Sequence, residues 1–171
     1  MDAMEAILTR RSVRKFTGES IPDELYDKLL RAAMQAPSAR NDQPWQFIII
    51  DNRDTMDAIS RFHPYAQMLK KAAGVITVCG DRRLEQNVGY IALDCAAASE
   101  NILLAAHALG LGAVWLGVYP RTERMRSLSG LLNLPENIIP ISMIALGIPE
   151  VKSIPENRYQ QTRVHRNTWT L

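Results

Sequence analysis

The sequence predicts a fold that combines helices and strands, either α+β or a mixed sheet with helical cover. Three observations lead there. Four short apolar runs, WQFIII (45–50), VITVC (75–79), AVWLGV (113–118) and IPISMIAL (139–146), read as buried strands. Longer segments between them carry helical spacing, but helices and strands do not alternate as strict βαβ units. A chain of 171 residues that is 47% hydrophobic and 22% charged fits one compact domain with a substantial core, here taken as residues 1–171.

In order along the chain, Asp2 to Thr9 forms a short helix with Met4, Ile7 and Leu8 on one side. Arg10 to Phe16 is loop or extended. Ser20 to Ala36 is a helix: Ser20 can cap it, Pro22 suits its first turn, and Asp23 and Glu24 complement its positive end. Leu25, Leu29, Ala32, Ala33 and Ala36 recur at helical spacing, and Pro37 stops it. PSARNDQP (37–44) is a loop by composition. Residues 53–61 and 64–71 are expected as helices. Gln86 to Leu109 is a long helix rich in alanine and leucine, suited to the core or to a dimer interface. A helix near 122–132 precedes the last strand. Beyond Pro149 the chain is polar yet keeps Ile154, Tyr159, Val164 and Trp169, which suggests an arm (150–171) that packs on something, such as a partner subunit.

Composition excludes several classes. The net charge is +2, from 20 basic and 18 acidic residues, too balanced for a general nucleic-acid binder. Cys79 and Cys95 form no CxxC pair and no metal-ligand spacing, and two free thiols suit a reducing cytosol. The opening MDAMEAILTRR is not a secretory signal. The apolar stretch Ile102 to Val118 falls short of a membrane span and reads as helix, glycine turn and strand. There is no P-loop, HExxH or GxSxG motif. GLG at 110–112 follows a helix and opens a strand, the reverse of a dinucleotide fingerprint, so it is a helix end and turn. His63, His107 and His165 have no evident carboxylate or nucleophile partner, which argues against a triad hydrolase.

Four polar clusters remain, none containing a general acid or base. Arg10, Arg11, Ser12 and Arg14, within RRSVRK, could hold a phosphate dianion through guanidinium forks and a hydroxyl, or could be a solvated basic stretch. Pro37, Ser38, Ala39, Asn41 and Gln43 could bond the rim of a heterocycle, or form a plain loop before a strand. Trp115, Leu116 and Gly117 end a buried strand with a glycine, which marks close approach of a ligand or backbone, or else a bulge. Arg158, Arg163, His165 and Arg166 give the tail surface charge.

Taken in order, these clusters resemble the nitroreductase family of FMN enzymes. The opening helix with RRSVRKF, then APSARNDQPWQF, LGLGAVWLGVYP and the tail NRYQQTRVHRNTW are similar to that family's successive signatures, and the resemblance covers nearly the whole chain. It implies an α+β fold with a central mixed, mostly antiparallel sheet flanked by helices. It implies an intertwined homodimer whose C-terminal arms exchange and whose FMN sites lie at the interface. By position, Arg10, Ser12 and Arg158 would hold the phosphate, and Arg14 would reach the O2/N1 side of the flavin. Ser38, Ala39 and Asn41 would come from the partner, and the backbone of Leu116 and Gly117 would face N5 and O4. Arg11, Pro37, Gln43 and Trp115 complete the expected cofactor-binding set.

The implied activity is a cytoplasmic oxidoreductase. It would take hydride from NAD(P)H and reduce nitroaromatics, quinones or similar small acceptors by a ping-pong mechanism, without nucleic acid, membrane or metal. A flavin-binding sensor without turnover and a reductive dehalogenase are the alternatives on the same fold. The chain departs from the family pattern at Leu116, where many larger members carry Glu, and at Glu156, where a lysine is often found. Neither Lys70 nor Lys71 matches the family's flavin-side lysine.

Overall fold

The computed structural model describes residues 1–151 and 154–169, so residues 152–153 and 170–171 of the expected arm lie outside the described residues. Four strands form the sheet: β1 (Trp45–Ile50), β2 (Gly74–Asp81), β3 (Gly112–Gly117) and β4 (Ile138–Gly147). Their order is β1-β2-β4-β3, and every neighbouring pair is antiparallel. The expected mixed character is confined to one parallel bridge, Ser12 to Ala113, outside the named strands.

Both faces of the sheet are covered. Helices α2 (Asp23–Ala33) and α4 (Val88–Ala108) lie on one face, while α3 (Arg53–Phe62) and α5 (Thr122–Leu131) lie on the other. The short α1 (Ala3–Thr9) packs on α4. Side chains alternate across a strand. Thus Ile76, Val78, Ile144 and Leu146 enter the α2/α4 core, and Val75, Met143 and Ala145 enter the α3/α5 core. Burial on both sides is why these strands read as continuous apolar runs. Pro140 sits in the central strand β4 because a bulge accommodates it: Val78 faces Ser142, but Cys79 faces Pro140.

Two helices differ from expectation. α2 starts at Asp23, and Ser20 does not cap it; Pro22 holds the N-cap position in an extended conformation with no side-chain cap. Its end comes at Ala33 rather than Ala36, and residues 34–36 continue as turns before Pro37. The expected helix over 64–71 is only a 3₁₀ turn, Gln67–Lys70. Arg53 ties the end of this turn to α3, its guanidinium donating to the carbonyls of Leu69 and Ala72 at 2.6 and 2.9 Å.

The long helix is capped by Asn87, whose side chain accepts from Gly89 N–H at 2.9 Å. It is long and apolar enough to cross a membrane, but Ile91, Cys95, Ala98, Ile102 and Ala106 are buried in the core. It is a core helix with one uncovered side, where Leu93 is 67% exposed. Met4 and Leu8 of α1 are exposed too. Gly110, at φ 79°, ends the helix in a Schellman turn: Leu111 N–H reaches Ala106 O at 2.8 Å and Gly110 N–H reaches His107 O at 3.0 Å. Cys79 and Cys95 are free and buried, and burial pushes the Cys79 thiol up to about 12, so it is no nucleophile at neutral pH.

Candidate functional site

The RRSVRK segment is laid along the start of β3 by backbone bonds. Val13 N–H donates to Ala113 O at 2.9 Å, and Thr17 N–H donates to Ile148 O at 3.0 Å. Close approach requires a glycine at 112, since a Cβ there would stand 2.7 Å from Val13 Cγ1 and 3.2 Å from the Phe16 ring. Val13 and Phe16 therefore point inward, while Ser12 and Arg14 face solvent.

Arg10, Arg11 and Arg158 share one cavity of about 510 Å³ with Thr9 and Asn157. The tail returns to the opening segment here. Arg11 Nη2 donates to Glu156 O at 2.6 Å and its Nη1 to Arg10 O at 2.6 Å. Arg10 Nε lies 3.2 Å from the Glu100 carboxylate, and Arg158 Nε lies 3.4 Å from Glu156. The Nε groups of Arg10 and Arg11 are nevertheless buried without a hydrogen bond. Three guanidinium groups lining one cavity suit it to an anion. Arg14 has no side-chain partner among the described residues.

The loop 37–44 is built differently. Arg40, Asn41 and Gln43 adopt positive φ of 52°, 60° and 48°. Two buried carboxylates hold them there: Glu85 binds Arg40, and Asp94 Oδ1 accepts from Ala39 N–H at 3.0 Å. Ser38 Oγ accepts from Gln43 N–H at 3.0 Å, and Asn41 Oδ1 accepts from Gln43 Nε2 at 3.1 Å. Pro37 is exposed and Ser38 half-buried. This loop and the arginine cavity meet different parts of α4, the loop at Asp94, the opening segment at Glu100 and His107. At the helical rise, Asp94 is about 9 Å along the axis from Glu100, where Arg10 binds, and about 20 Å from His107, where Thr9 binds. One chain therefore joins Arg10, Arg11 and Arg158, brings Ser12 to β3, and leaves Ser38, Ala39 and Asn41 elsewhere.

At the end of β3, Leu116 is 2% exposed and packs into the α3/α5 core, so only its backbone is available to a ligand. Trp115 is half-buried against the other core. A Cβ at Gly117 would meet nothing, so no protein neighbour demands glycine there, and space lies open beside the strand. Its carbonyl takes two bonds, from His63 Nε2 at 3.0 Å and Arg124 Nη1 at 2.8 Å. Burial, opposed by the Gly117 bond and aided by the Arg124 charge, holds His63 below its ordinary value, so it stays neutral and donates.

His63, Arg124, Glu85 and Asp94 carry no signal in the sequence; each acts on a partner 7 to 55 residues away. No group of three or more histidine, cysteine or acidic residues among the described residues could hold a metal. In the tail, Tyr159 and Trp169 are exposed and Trp169 stacks on His165 with ring centres 4.1 Å apart. The arrangement can bind a dianion and present backbone to a flat ligand, but it offers no general acid or base.

The sequence model of the nitroreductase family matches residues 7–78 and 63–148. A protein of Methanothermobacter thermautotrophicus, provisionally named NADH dehydrogenase/NAD(P)H nitroreductase, is 47% identical over 169 residues, covering 99% of this chain and 88% of its own. A Parabacteroides distasonis crystal structure under the same provisional name superposes with TM-score 0.94 at 44% identity, covering 97% of this chain and 98% of that one. A provisionally named nitroreductase of Desulfovibrio desulfuricans, solved in complex with FMN, gives TM-score 0.83 at 31% identity over 99% of both chains.

Proposed function

Because the chain belongs to the nitroreductase family, we propose that it reduces nitroaromatics, quinones or similar electrophilic acceptors in a ping-pong cycle. It is an NAD(P)H-dependent, nitroreductase-type oxidoreductase that uses FMN. FMN, when bound, supplies the hydride chemistry; the protein binds, orients and tunes it. Arg10, Arg11, Ser12 and Arg158 hold the phosphate. The observation that carries this reading is the cavity lined by Arg10, Arg11 and Arg158, with exposed Ser12 next in the chain. Arg14, exposed three residues after Arg11, supplies a cation to the O2/N1 side of the ring, where negative charge develops on reduction.

The open space at Gly117 leaves the backbone of 116–117 to face N5 and O4. His63 and Arg124 keep that strand end fixed through the Gly117 carbonyl. The site is completed by a second copy of the chain, whose Ser38, Ala39, Asn41 and Gln43 approach the ring from the other side. The separation of the two clusters along α4 supports the dimer. So does the uncovered apolar surface of α1, α4 and the arm, because a monomer rarely leaves so much exposed. One open site serves nicotinamide and acceptor in turn, in the cytoplasm.

The test is FMN titration of apoprotein. Arg10→Ala with Arg158→Ala should weaken FMN binding by about tenfold or more, the scale of one lost charge-assisted bond. Unchanged affinity would remove the phosphate assignment.

A further inference from the structure

A second basic cavity adjoins the same strand end. It occupies about 620 Å³ between the C-terminal end of α3 and the first turns of α5. Phe62 and Pro64 form one wall, and Arg121, Arg124 and Arg126, with Glu123, form the other. Arg124 joins this cavity to the strand: its guanidinium lies 5.5 Å from the Tyr65 ring centre and donates to Gly117 O at 2.8 Å. The side chains of Arg121 and Arg126 have no ion pair or hydrogen bond among the described residues. α5 starts after Arg121 with no side-chain cap, so the N–H groups of its first turn open at the same place.

Three guanidinium groups in one concavity repel each other, and a single carboxylate does not balance them. Planar forks of this kind match phosphate oxygens two at a time. Electron transfer needs no such cluster at the strand end, and the phosphate of FMN already has Arg10, Arg11 and Arg158. We propose that the cavity between α3 and α5 binds a phosphate of the nicotinamide dinucleotide, which would run outward from the flavin past Gly117 and Arg124. The inference rests on the NAD(P)H reading above. The phosphate has two possible sources, the 2′-phosphate of NADPH or the pyrophosphate that NADPH and NADH share.

The test uses the FMN-loaded full chain, wild type and Arg121→Gln/Arg126→Gln, reduced anaerobically by NADPH, NADH and reduced nicotinamide riboside, which carries no phosphate. NADP⁺ binding by calorimetry gives a readout independent of turnover. The proposal expects apparent affinity to fall by about tenfold for a lost charge-assisted contact. A 2′-phosphate contact weakens NADPH and NADP⁺ alone. A pyrophosphate contact weakens both dinucleotides and NADP⁺, and spares the riboside. Equal affinity of variant and wild type for all of them overturns the proposal, as does an equal loss for all three reductants, which is a disturbed fold. If wild-type flavin bleaches with nicotinamides but the variant shows no discrimination, only this inference fails. If no nicotinamide bleaches the wild type, the oxidoreductase reading fails with it.

Discussion

The two polar segments marked out in the sequence, 10–14 and 37–43, are held in opposite ways. The first is fixed by its backbone and by Val13 and Phe16 plugged against Gly112, which leaves Arg14 unengaged while Arg10 pairs with Glu100 and Arg11 with two carbonyls. The second is fixed by its side chains and by carboxylates beneath it, Glu85 and Asp94, which lock three left-handed residues into one shape. One segment offers charge, the other a preformed edge. The proposed FMN site uses both, the charge for the phosphate and the edge for the ring.

The comparison breaks most visibly at Gly112. Gly112→Val forces two methyl groups into Val13 and Phe16. Overpacking of this kind costs about 1–3 kcal/mol, or roughly 2–12 °C in Tm for a chain of this size. FMN affinity should fall with it as the arginine segment is displaced, whereas the 37–43 loop keeps its native protection in hydrogen exchange. Thermal melts and exchange on one variant check both halves.

Asp94 probes the other segment. Asp94→Leu removes the acceptor of Ala39 N–H and should cost about 1–3 kcal/mol, the penalty of an unsatisfied buried donor. Asp94→Asn keeps an oxygen for that N–H and replaces the second carboxylate oxygen, which is buried with no hydrogen bond. Its stability should stay near wild type. A Leu variant as stable as Asn would show that Asp94 does not hold the loop.

The smallest effect is a pH dependence. His63 is held below its ordinary value in the folded chain, with burial as the main cause, and His107 is lowered too, by burial and then by the Arg10 charge. The unfolded chain binds more protons than the folded one between the folded and unfolded values. Stability therefore rises with pH through that window, is complete above about 6.5, and is lost progressively as pH falls below it. His63→Gln can still donate to Gly117 O but does not titrate. Denaturant midpoints at pH 5 and 8 should lie closer together in this variant than in wild type.

The fold was legible where burial left a continuous signature. β2 and β4 fall over VITVC and IPISMIAL because both faces of these central strands are buried, and β1 falls at Trp45–Ile50 as read although Gln46 and Ile49 of this edge strand are exposed. The end of α4 was legible because Gly110 has a local reason to be there. α2 was overextended because Ser20 looks like a cap, and nothing local shows that Pro22 takes the position. The arginines of the opening segment, the loop and Gly117 were visible as clusters. Their supports were not: His63 meets Gly117 across 54 residues and Arg40 meets Glu85 across 45, contacts that only the folded chain creates. Leu116, where many larger family members carry Glu, has its side chain in the α3/α5 core.

The most direct measurement is the visible absorbance of the purified, FMN-incubated protein before and after anaerobic addition of NADH or NADPH. The account predicts a bound-flavin spectrum that bleaches within the turnover time of an enzyme and recovers when a quinone or nitroaromatic is added. A protein that stays colourless after incubation with FMN, or holds flavin that neither nicotinamide bleaches, would contradict it.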